Sequence, residues 1–139
     1  TPADDYIRQA KAACQEQNVL LIADEIQTGI ARTGSLLAVC GNCTCQGHCE
    51  KQETYTKPDM LILGKAISGG FYPVSAVLAD KDIMDVIKPG QHGSTFGGNP
   101  LGVKVAMTAL EVVRDAENGG QIPYCKIGSW QRVVECCCH

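Results

Sequence analysis

A short aliphatic run that ends in a lysine and two glycines constrains this chain most. The run Met60–Leu63 is apolar throughout and long enough for one buried strand, and Gly64 and Lys65 follow it directly. Gly69 and Gly70 predict a tight turn just beyond. Lys65 therefore lies at the end of a buried strand, where a desolvated amine can attack a carbonyl and form a Schiff base. The alternative is a structural lysine whose amine reaches solvent.

The composition is that of an ordinary globular chain with one core. Of its 139 residues, 45% are hydrophobic and 19% are charged, which suits one domain or part of one. The net charge of −3 offers no basic stripe for a phosphate backbone, so we expect no nucleic-acid partner. The longest apolar runs, such as Val19–Ala23, are strand-sized, so we expect no contact with a membrane.

The nine cysteines are unusual for such a chain, and their odd number argues against a disulfide scaffold. Thiolates and an imidazole are good zinc ligands, but the main cluster is confined to one loop without a second, separate pair. We therefore favour a surface insertion with free thiols over about residues 40–56 and assign no metal ligand; a zinc-binding module is the alternative. The cluster comprises Cys40, Cys43, Cys45, His48 and Cys49, and the triplet Cys136–Cys138 lies near the end of the chain.

The first predicted strand leads directly into two acidic residues. Apolar residues at helical spacing predict an amphipathic helix that ends near Gln17. The run Val19–Ala23 then predicts a strand covered on both faces in a parallel sheet, and Asp24 and Glu25 follow it. Open α/β sheets bind ligands at the carboxyl ends of their strands, which makes both acids candidates. The alternative for either acid is a helix cap or a solvated strand end.

The lengths of the connections predict how three strands pair. The segment between Met60–Leu63 and the apolar stretch Val74–Ala79 is too short for a crossover helix, so we expect these strands to be antiparallel. A long connection separates Val19–Ala23 from Met60–Leu63, which leaves that pair free to be parallel. A short helix is expected over Lys81–Ile87.

A stretch rich in glycine and hydroxyl groups precedes the longest predicted helix. Asn99 is placed to cap this helix and Pro100 to occupy its first position. Ser94 and Thr95 lie beside glycines, which suits phosphate binding, although an ordinary capped loop is the alternative. The helix is expected to end near Arg114, with an apolar stripe of Leu101, Val105, Ala109 and Val113.

The pattern changes after residue 116. Asn118, Gly119 and Gly120 predict a break in the helix, and no sustained period follows. We therefore divide the chain into residues 1–116, one partial domain, and residues 117–139, a divergent tail that we expect to be poorly ordered.

Three motifs, taken in order, resemble those of the class III aminotransferases, which use pyridoxal phosphate. They are Asp-Glu-Ile-Gln-Thr-Gly at 24–29, Gly-Lys-Ala-Ile-Ser-Gly-Gly at 64–70 and Gly-Ser-Thr-Phe-Gly-Gly-Asn-Pro at 93–100. The resemblance covers about residues 5–113, apart from the cysteine loop. It implies an α/β fold: a fragment of the fold-type I large domain of pyridoxal-phosphate-dependent transferases, with a mixed, mostly parallel sheet flanked by helices. The family is much longer, so we expect this chain to be a central piece.

The resemblance also implies roles for five residues. Lys65 would be the catalytic residue that binds pyridoxal phosphate as a Schiff base and later moves the substrate proton. Asp24 would pair with the protonated ring nitrogen and keep the ring an electron sink, and Gln27 would hydrogen-bond the ring hydroxyl. Ser94 and Thr95 would bind the cofactor phosphate of a neighbouring subunit, because the site of the family lies at a dimer interface.

Within the family, Tyr72–Leu78 and Ile83–Gly90 resemble the members that act on ornithine. The implied reaction transfers the δ-amino group of L-ornithine to 2-oxoglutarate, giving glutamate 5-semialdehyde and glutamate, in amino-acid metabolism and proline biosynthesis. N-acetylornithine or 4-aminobutyrate as amino donor is the alternative, as is a non-catalytic zinc-binding fragment.

The resemblance carries further expectations about the setting of such a fragment. It implies small amino-acid and 2-oxo-acid substrates, and a homodimer or higher homo-oligomer in the full-length enzyme. Animal members are mitochondrial, which implies the mitochondrial matrix, with the cytoplasm as the alternative. Because much of the cofactor and substrate sites would lie outside this chain, we expect the fragment alone to be inactive.

Overall fold

Four short strands form one mixed sheet, and helices flank it. The computed structural model describes residue 3 and residues 5–40, 56–118 and 132–135. The strands lie in the order β1-β2-β3-β4. The helices are α1 (Tyr6–Glu16), α2 (Lys81–Met84) and α3 (Pro100–Asn118); the strands are β1 (Ile22–Asp24), β2 (Met60–Leu63), β3 (Ala76–Ala79) and β4 (Arg132–Glu135); 3₁₀ turns cover Ala38–Cys40 and Lys65–Ser68.

The pairing of the first three strands agrees with the connection lengths. β1 and β2 are parallel, with Ile22 opposite Met60 and Asp24 opposite Ile62. β2 and β3 are antiparallel, with Leu63 opposite Ala76. The predicted antiparallel pair is thus confirmed, and the pair that was free to be parallel is parallel. The mixed sheet flanked by helices is confirmed as well, with one parallel and two antiparallel pairs among the described strands. The carboxyl ends of β1 and β2 consequently meet at one edge of the sheet, where Asp24 and Lys65 lie.

The hydrophobic core lies between the sheet, the turn after β2 and α3. Leu61 on β2 and Leu37 are completely buried. Around them pack other buried apolar side chains from every part of this layer, including Leu63, Ile67, Leu78 and Ala106. Burying each large aliphatic side chain contributes about 1.5–3 kcal/mol, so this cluster is the main stabilising element of the layer.

The first strand differs from its prediction. Only Ile22–Asp24 of the apolar run pairs in the sheet, and Ile22 is 50% exposed, while Val19 and Leu20 are exposed as well. The expectation of a strand buried on both faces is therefore wrong for this chain. β1 is the outermost strand of the described sheet, so no described strand pairs with its outer side.

The long helix begins as predicted but buries a different face. α3 starts at Pro100, and the Asn99 Oδ1 accepts a hydrogen bond from the Gly102 amide at 2.8 Å, which confirms the cap. The buried positions are Gly102 and Ala106, whereas Leu101 is half exposed. The predicted stripe is thus displaced by one residue at this end. The reason is close approach: a Cβ on Gly102 would lie 3.3 Å from Cγ2 of Val74.

A fourth strand lies in the segment that was expected to lack order. Arg132–Glu135 pairs antiparallel with β3, and Val134 lies opposite Val77. α3 also continues to Asn118, past the expected end near Arg114. The division at residue 116 remains a prediction, and the thiols of Cys43, Cys45, Cys49 and Cys136–Cys138, like His48, lie outside the described residues. No described helix has the length and hydropathy needed to span a membrane.

Candidate active site

The end of β2 is built to project Lys65 from the edge of the sheet. Gly64 lets the backbone pass Ile26, since a Cβ at this position would lie 3.1 Å from Cγ2 of Ile26. Lys65 has φ +45° and opens the 3₁₀ turn that ends at Ser68, whose hydroxyl donates to the Lys65 carbonyl at 2.6 Å. Gly69, at φ +58°, ends the turn in the left-handed conformation that glycine adopts most easily.

The amine of Lys65 meets the side chain of Gln27 beside an open hollow. Lys65 Nζ donates a hydrogen bond to Gln27 Oε1. Both side chains are exposed, and both line a hollow of about 1110 Å³. Among the described residues, no acidic side chain forms an ion pair with Lys65. The amine is therefore held by a neutral acceptor and remains accessible to a small molecule.

Asp24 lies at the same sheet edge as Lys65 but does not line the hollow. Its Oδ1 accepts a hydrogen bond from the Ile26 amide at 3.0 Å, and the side chain is exposed. This contact is an Asx-turn and not a helix cap, and the exposed carboxylate agrees with the other alternative, a solvated strand end. Strand pairing thus brings Asp24 and Lys65 to one edge, and the hollow brings Gln27 and Lys65 together.

The two hydroxyl residues lie outside this group. Ser94 and Thr95 are exposed and do not line the hollow. Ser94 Oγ accepts a hydrogen bond from the Gly97 amide at 3.1 Å, as in an ordinary turn. Within this single chain, the structure therefore does not bring these two residues together with Lys65.

The opposite wall of the hollow comes from α3, which the sequence did not suggest. Lys104, Thr108 and Val112 recur at a spacing of four along α3, so they share one face, and all three line the hollow. Val112 is 62% exposed although it is apolar. The sequence does contain a signal, because each of these three residues directly precedes a residue of the predicted apolar stripe.

Glu25, which the sequence marks only as an acid after a strand, is a buried hydrogen-bond acceptor. It is 2% exposed, and its carboxylate accepts three hydrogen bonds: from the Val39 amide at 2.7 Å, the Ala38 amide at 2.9 Å and the Thr28 hydroxyl at 3.0 Å. A Cβ on Gly29 would lie 2.8 Å from the carbonyl oxygen of Glu25, so glycine is needed there. The two-residue period of a strand would have predicted that Glu25 points inward, because successive residues point to opposite faces.

The amino ends of β1 and β2 are joined by a different carboxylate. Asp59 accepts a hydrogen bond from the Leu21 amide at 2.8 Å and pairs with Lys11 at 2.5 Å. Burial raises the pKa of Asp59, but the Lys11 ammonium and the Leu21 amide outweigh it, so the pKa lies below its ordinary value of 3.8.

The residues around the hollow suit an anionic carbonyl compound better than a metal. Lys65 offers an amine for a carbonyl carbon, and Arg32 and Lys104, which also line the hollow, are cations. Within the described ranges, no group of three or more His, Cys, Asp or Glu residues could hold a metal ion. The cysteine cluster falls almost wholly outside those ranges, so the assignment of no metal to it stays a prediction.

Known proteins resemble this chain in sequence and in fold. The family model for class-III aminotransferases matches residues 1–122. Ornithine aminotransferase, mitochondrial, of Drosophila melanogaster is 54% identical over 120 residues, which cover 84% of this chain and 25% of the relative. Ornithine aminotransferase of Saccharomyces cerevisiae is 54% identical over 114 residues, or 82% of this chain and 24% of the relative.

A solved structure gives the same answer for the fold. The crystal structure of ornithine aminotransferase from Toxoplasma gondii has a TM-score of 0.72 and 47% identity, and it covers 85% of this chain and 26% of that one. The chain thus spans about a quarter of the length of the relatives that it matches. Because the family model matches residues 1–122, which are most of the chain, this chain belongs to the class-III aminotransferase family.

Proposed function

We propose that this chain is the central part of the large domain of an ornithine aminotransferase. The whole protein would transfer the δ-amino group of L-ornithine to 2-oxoglutarate, with pyridoxal phosphate as cofactor, and form glutamate 5-semialdehyde and glutamate. One observation carries the proposal: the Lys65 amine lies beside an open hollow, in the turn after a strand that is parallel and adjacent to the one that ends in Asp24.

The residues present fit this cofactor. When bound, pyridoxal phosphate supplies an aldehyde that condenses with amines and a ring that withdraws electrons from the substrate carbon. A hollow with an accessible amine, an amide oxygen and two further cations matches an anionic aldehyde. Lys65, Gln27 and Asp24 would hold the group, and Arg32 and Lys104 would favour its negative charge.

Each of these side chains has a defined task. Lys65 would be the nucleophile that attaches the cofactor, and its amine, when free, would accept and return the substrate proton. Gln27 Oε1 orients the Lys65 amine. The Asp24 carboxylate, at the end of the adjacent strand, would stabilise a proton on the ring nitrogen, for which it would have to turn from the Ile26 amide.

The exposure of Ser94 and Thr95 supports a role in a neighbouring subunit. Both lie away from the hollow of their own chain, and Gly93–Gly98 presents glycine amides beside hydroxyl groups. Such a loop binds phosphate oxygens through several donors at once. We therefore infer a homodimer or higher homo-oligomer of the full-length protein, in which these residues reach the phosphate of the partner's cofactor.

The setting of the proposed reaction follows from the relatives. Those from Drosophila melanogaster and Arabidopsis thaliana are named mitochondrial, which supports the mitochondrial matrix for this protein as well. Since the chain spans about a quarter of these relatives, the remaining substrate contacts would come from other segments, and we expect this segment alone to be inactive.

A second amino donor has its own support. Acetylornithine aminotransferase from Elizabethkingia anophelis is 56% identical, with a TM-score of 0.68, over 85% of this chain and 28% of that one. N-acetylornithine is therefore the second candidate substrate. The residues that line the hollow do not distinguish the two donors, because both carry a primary amine.

Steady-state assays of the full-length protein test this proposal. We expect 2-oxoglutarate-dependent turnover with L-ornithine to exceed that with N-acetylornithine and with 4-aminobutyrate. The Lys65→Arg variant should lose at least about 10³-fold in kcat, since it removes the nucleophile and proton carrier. Lys88→Arg, an exposed lysine outside the hollow, should retain full activity. An active Lys65→Arg variant would overturn the assignment of Lys65, and preference for N-acetylornithine would overturn the choice of substrate.

A further inference from the structure

We propose that Glu25 is a positioning residue that sets the place of Gln27 relative to Lys65. Its buried carboxylate fixes the loop of residues 26–39, which forms one wall of the hollow. Glu25 itself does not line the hollow, so it acts through this loop and not on a bound molecule. The proposal rests on the proposed function, because it concerns the same site.

One carboxylate joins the two ends of the loop. Glu25 Oε2 accepts hydrogen bonds from the Thr28 hydroxyl at 3.0 Å and the Ala38 amide at 2.9 Å, and Oε1 accepts from the Val39 amide at 2.7 Å. The Glu25 amide in turn donates to the Ile62 carbonyl at 2.9 Å. Glu25 therefore connects both ends of the loop to β2, the strand that leads into Lys65.

The loop needs this support because its backbone is strained. Ile30 has φ +52° and Ala31 has φ +67°, and neither is glycine. A β-branched residue in this region is an outlier that persists only where the surrounding structure imposes it. Both amides donate to the Leu36 carbonyl, at 2.7 and 3.4 Å, so the contacts inside the loop and those of Glu25 together hold it. The same loop carries Gln27 to Lys65.

The three partners explain why a carboxylate is required. All three are donors, and both oxygens of Glu25 accept. A glutamine side chain would place its NH₂ group against a backbone N–H in either orientation, since each oxygen faces one backbone amide. Glu25→Gln therefore keeps the volume of the side chain but removes one of the two backbone attachments.

Asp59 offers a matched control on the same two strands. Like Glu25, it accepts a backbone amide, from Leu21, but it does so at the amino ends of β1 and β2, far along the strands from Lys65. Asp59→Asn should lower the unfolding midpoint without moving the loop. Each of the two variants removes one carboxylate and leaves Arg32, Lys104 and Asp24 unchanged, so the loss of a charge is common to both.

The test uses pyridoxal phosphate and borohydride with the full-length protein. The dissociation constant of pyridoxal phosphate and the pH midpoint of its reductive trapping on Lys65 are measured for the wild type, Glu25→Gln and Asp59→Asn. We expect Glu25→Gln to raise the dissociation constant about fivefold or more and to move the midpoint, as the Lys65 amine loses its fixed acceptor. Asp59→Asn should leave both unchanged.

The outcomes separate this role from the proposed function. A wild-type dissociation constant and midpoint in Glu25→Gln would overturn the positioning role, and so would equal changes in Asp59→Asn. If Glu25→Gln does not fold, Thr28→Val, which removes one donor to the carboxylate, should show the same changes at smaller size, and wild-type values in it would overturn the role. Failure to label Lys65 in the wild type would overturn the proposed function and this role with it.

Discussion

Lys65 and Gln27, 38 positions apart in the chain, are joined by a hydrogen bond from the lysine amine to the glutamine oxygen. The bond links the turn after β2 to the loop after β1, so it exists only because these two strands are neighbours and parallel. A neutral acceptor holds the amine in place without pairing its charge. Lys65 is thereby positioned for a carbonyl compound and not locked in a structural ion pair.

Removing that acceptor should weaken cofactor binding. For Gln27→Ala we expect the dissociation constant of pyridoxal phosphate to rise about fivefold, which corresponds to about 1 kcal/mol for one exposed hydrogen bond. Absorbance titration measures it. The control is Gln17→Ala at the end of α1, which removes the same kind of exposed side chain outside the hollow. Equal affinities for Gln27→Ala and the wild type would contradict the role of this bond.

Gly29 should tolerate no side chain. A Cβ there would lie 2.8 Å from the Glu25 carbonyl oxygen and 3.0 Å from Glu25 Cβ, and backbone at the end of a strand cannot move away cheaply. We expect Gly29→Ala to lower the free energy of unfolding by about 2 kcal/mol. Gly93→Ala, where a Cβ meets nothing within 4 Å, should change it by less than about 0.5 kcal/mol. Urea denaturation measures both, and comparable losses in the two variants would refute the contact.

The cap of α3 should contribute measurably to the free energy of unfolding. Asn99→Ala removes the 2.8 Å hydrogen bond to the Gly102 amide, and we expect a loss of about 1 kcal/mol in the free energy of unfolding. Asn99→Asp keeps an acceptor at the same position and should recover most of the loss. A thermal or urea midpoint for Asn99→Asp as low as that for Asn99→Ala would argue against capping as the cause.

The Lys11–Asp59 pair predicts a loss of stability in acid. Because the folded pKa of Asp59 lies below 3.8, its contribution is present above that pH and is lost as the pH falls through the folded value. Asp59→Asn should be less stable than the wild type by about 2 kcal/mol at pH 6, and the difference should shrink towards pH 2. Measuring the free energy of unfolding of both proteins from pH 6 to pH 2 tests this pH dependence, with Asp82→Asn on α2 as a control. A difference that stays constant with pH would contradict the ion pair.

Local chemistry in the sequence predicted the frame of the site. Short stretches of sequence were enough to predict the strand that leads into Lys65, the antiparallel pair of β2 and β3, and the start of α3 at Asn99 and Pro100. The acids after β1 lie at the carboxyl ends of the strands, as expected, although the long connection only permitted the parallel pairing and did not determine it.

Longer-range packing accounts for what was missed. The burial of β1 depends on a layer that the described residues do not provide, and β4 pairs with β3 from more than 50 positions away. The face of α3 that packs inward was decided by Gly102 and Ala106, whose small side chains allow close approach. The alternation along β1 indicates that Glu25 points inward, but its donors at residues 38 and 39 are distant in sequence, and no local pattern reveals them.

The proposed function depends on the attachment of pyridoxal phosphate to the amine of Lys65. The most direct measurement is to incubate the full-length protein with pyridoxal phosphate, reduce it with borohydride and identify the labelled peptide by mass spectrometry. We expect stoichiometric label on Lys65 and none in Lys65→Arg. Label on Lys104, the other lysine of the hollow, or on no lysine at all would contradict it.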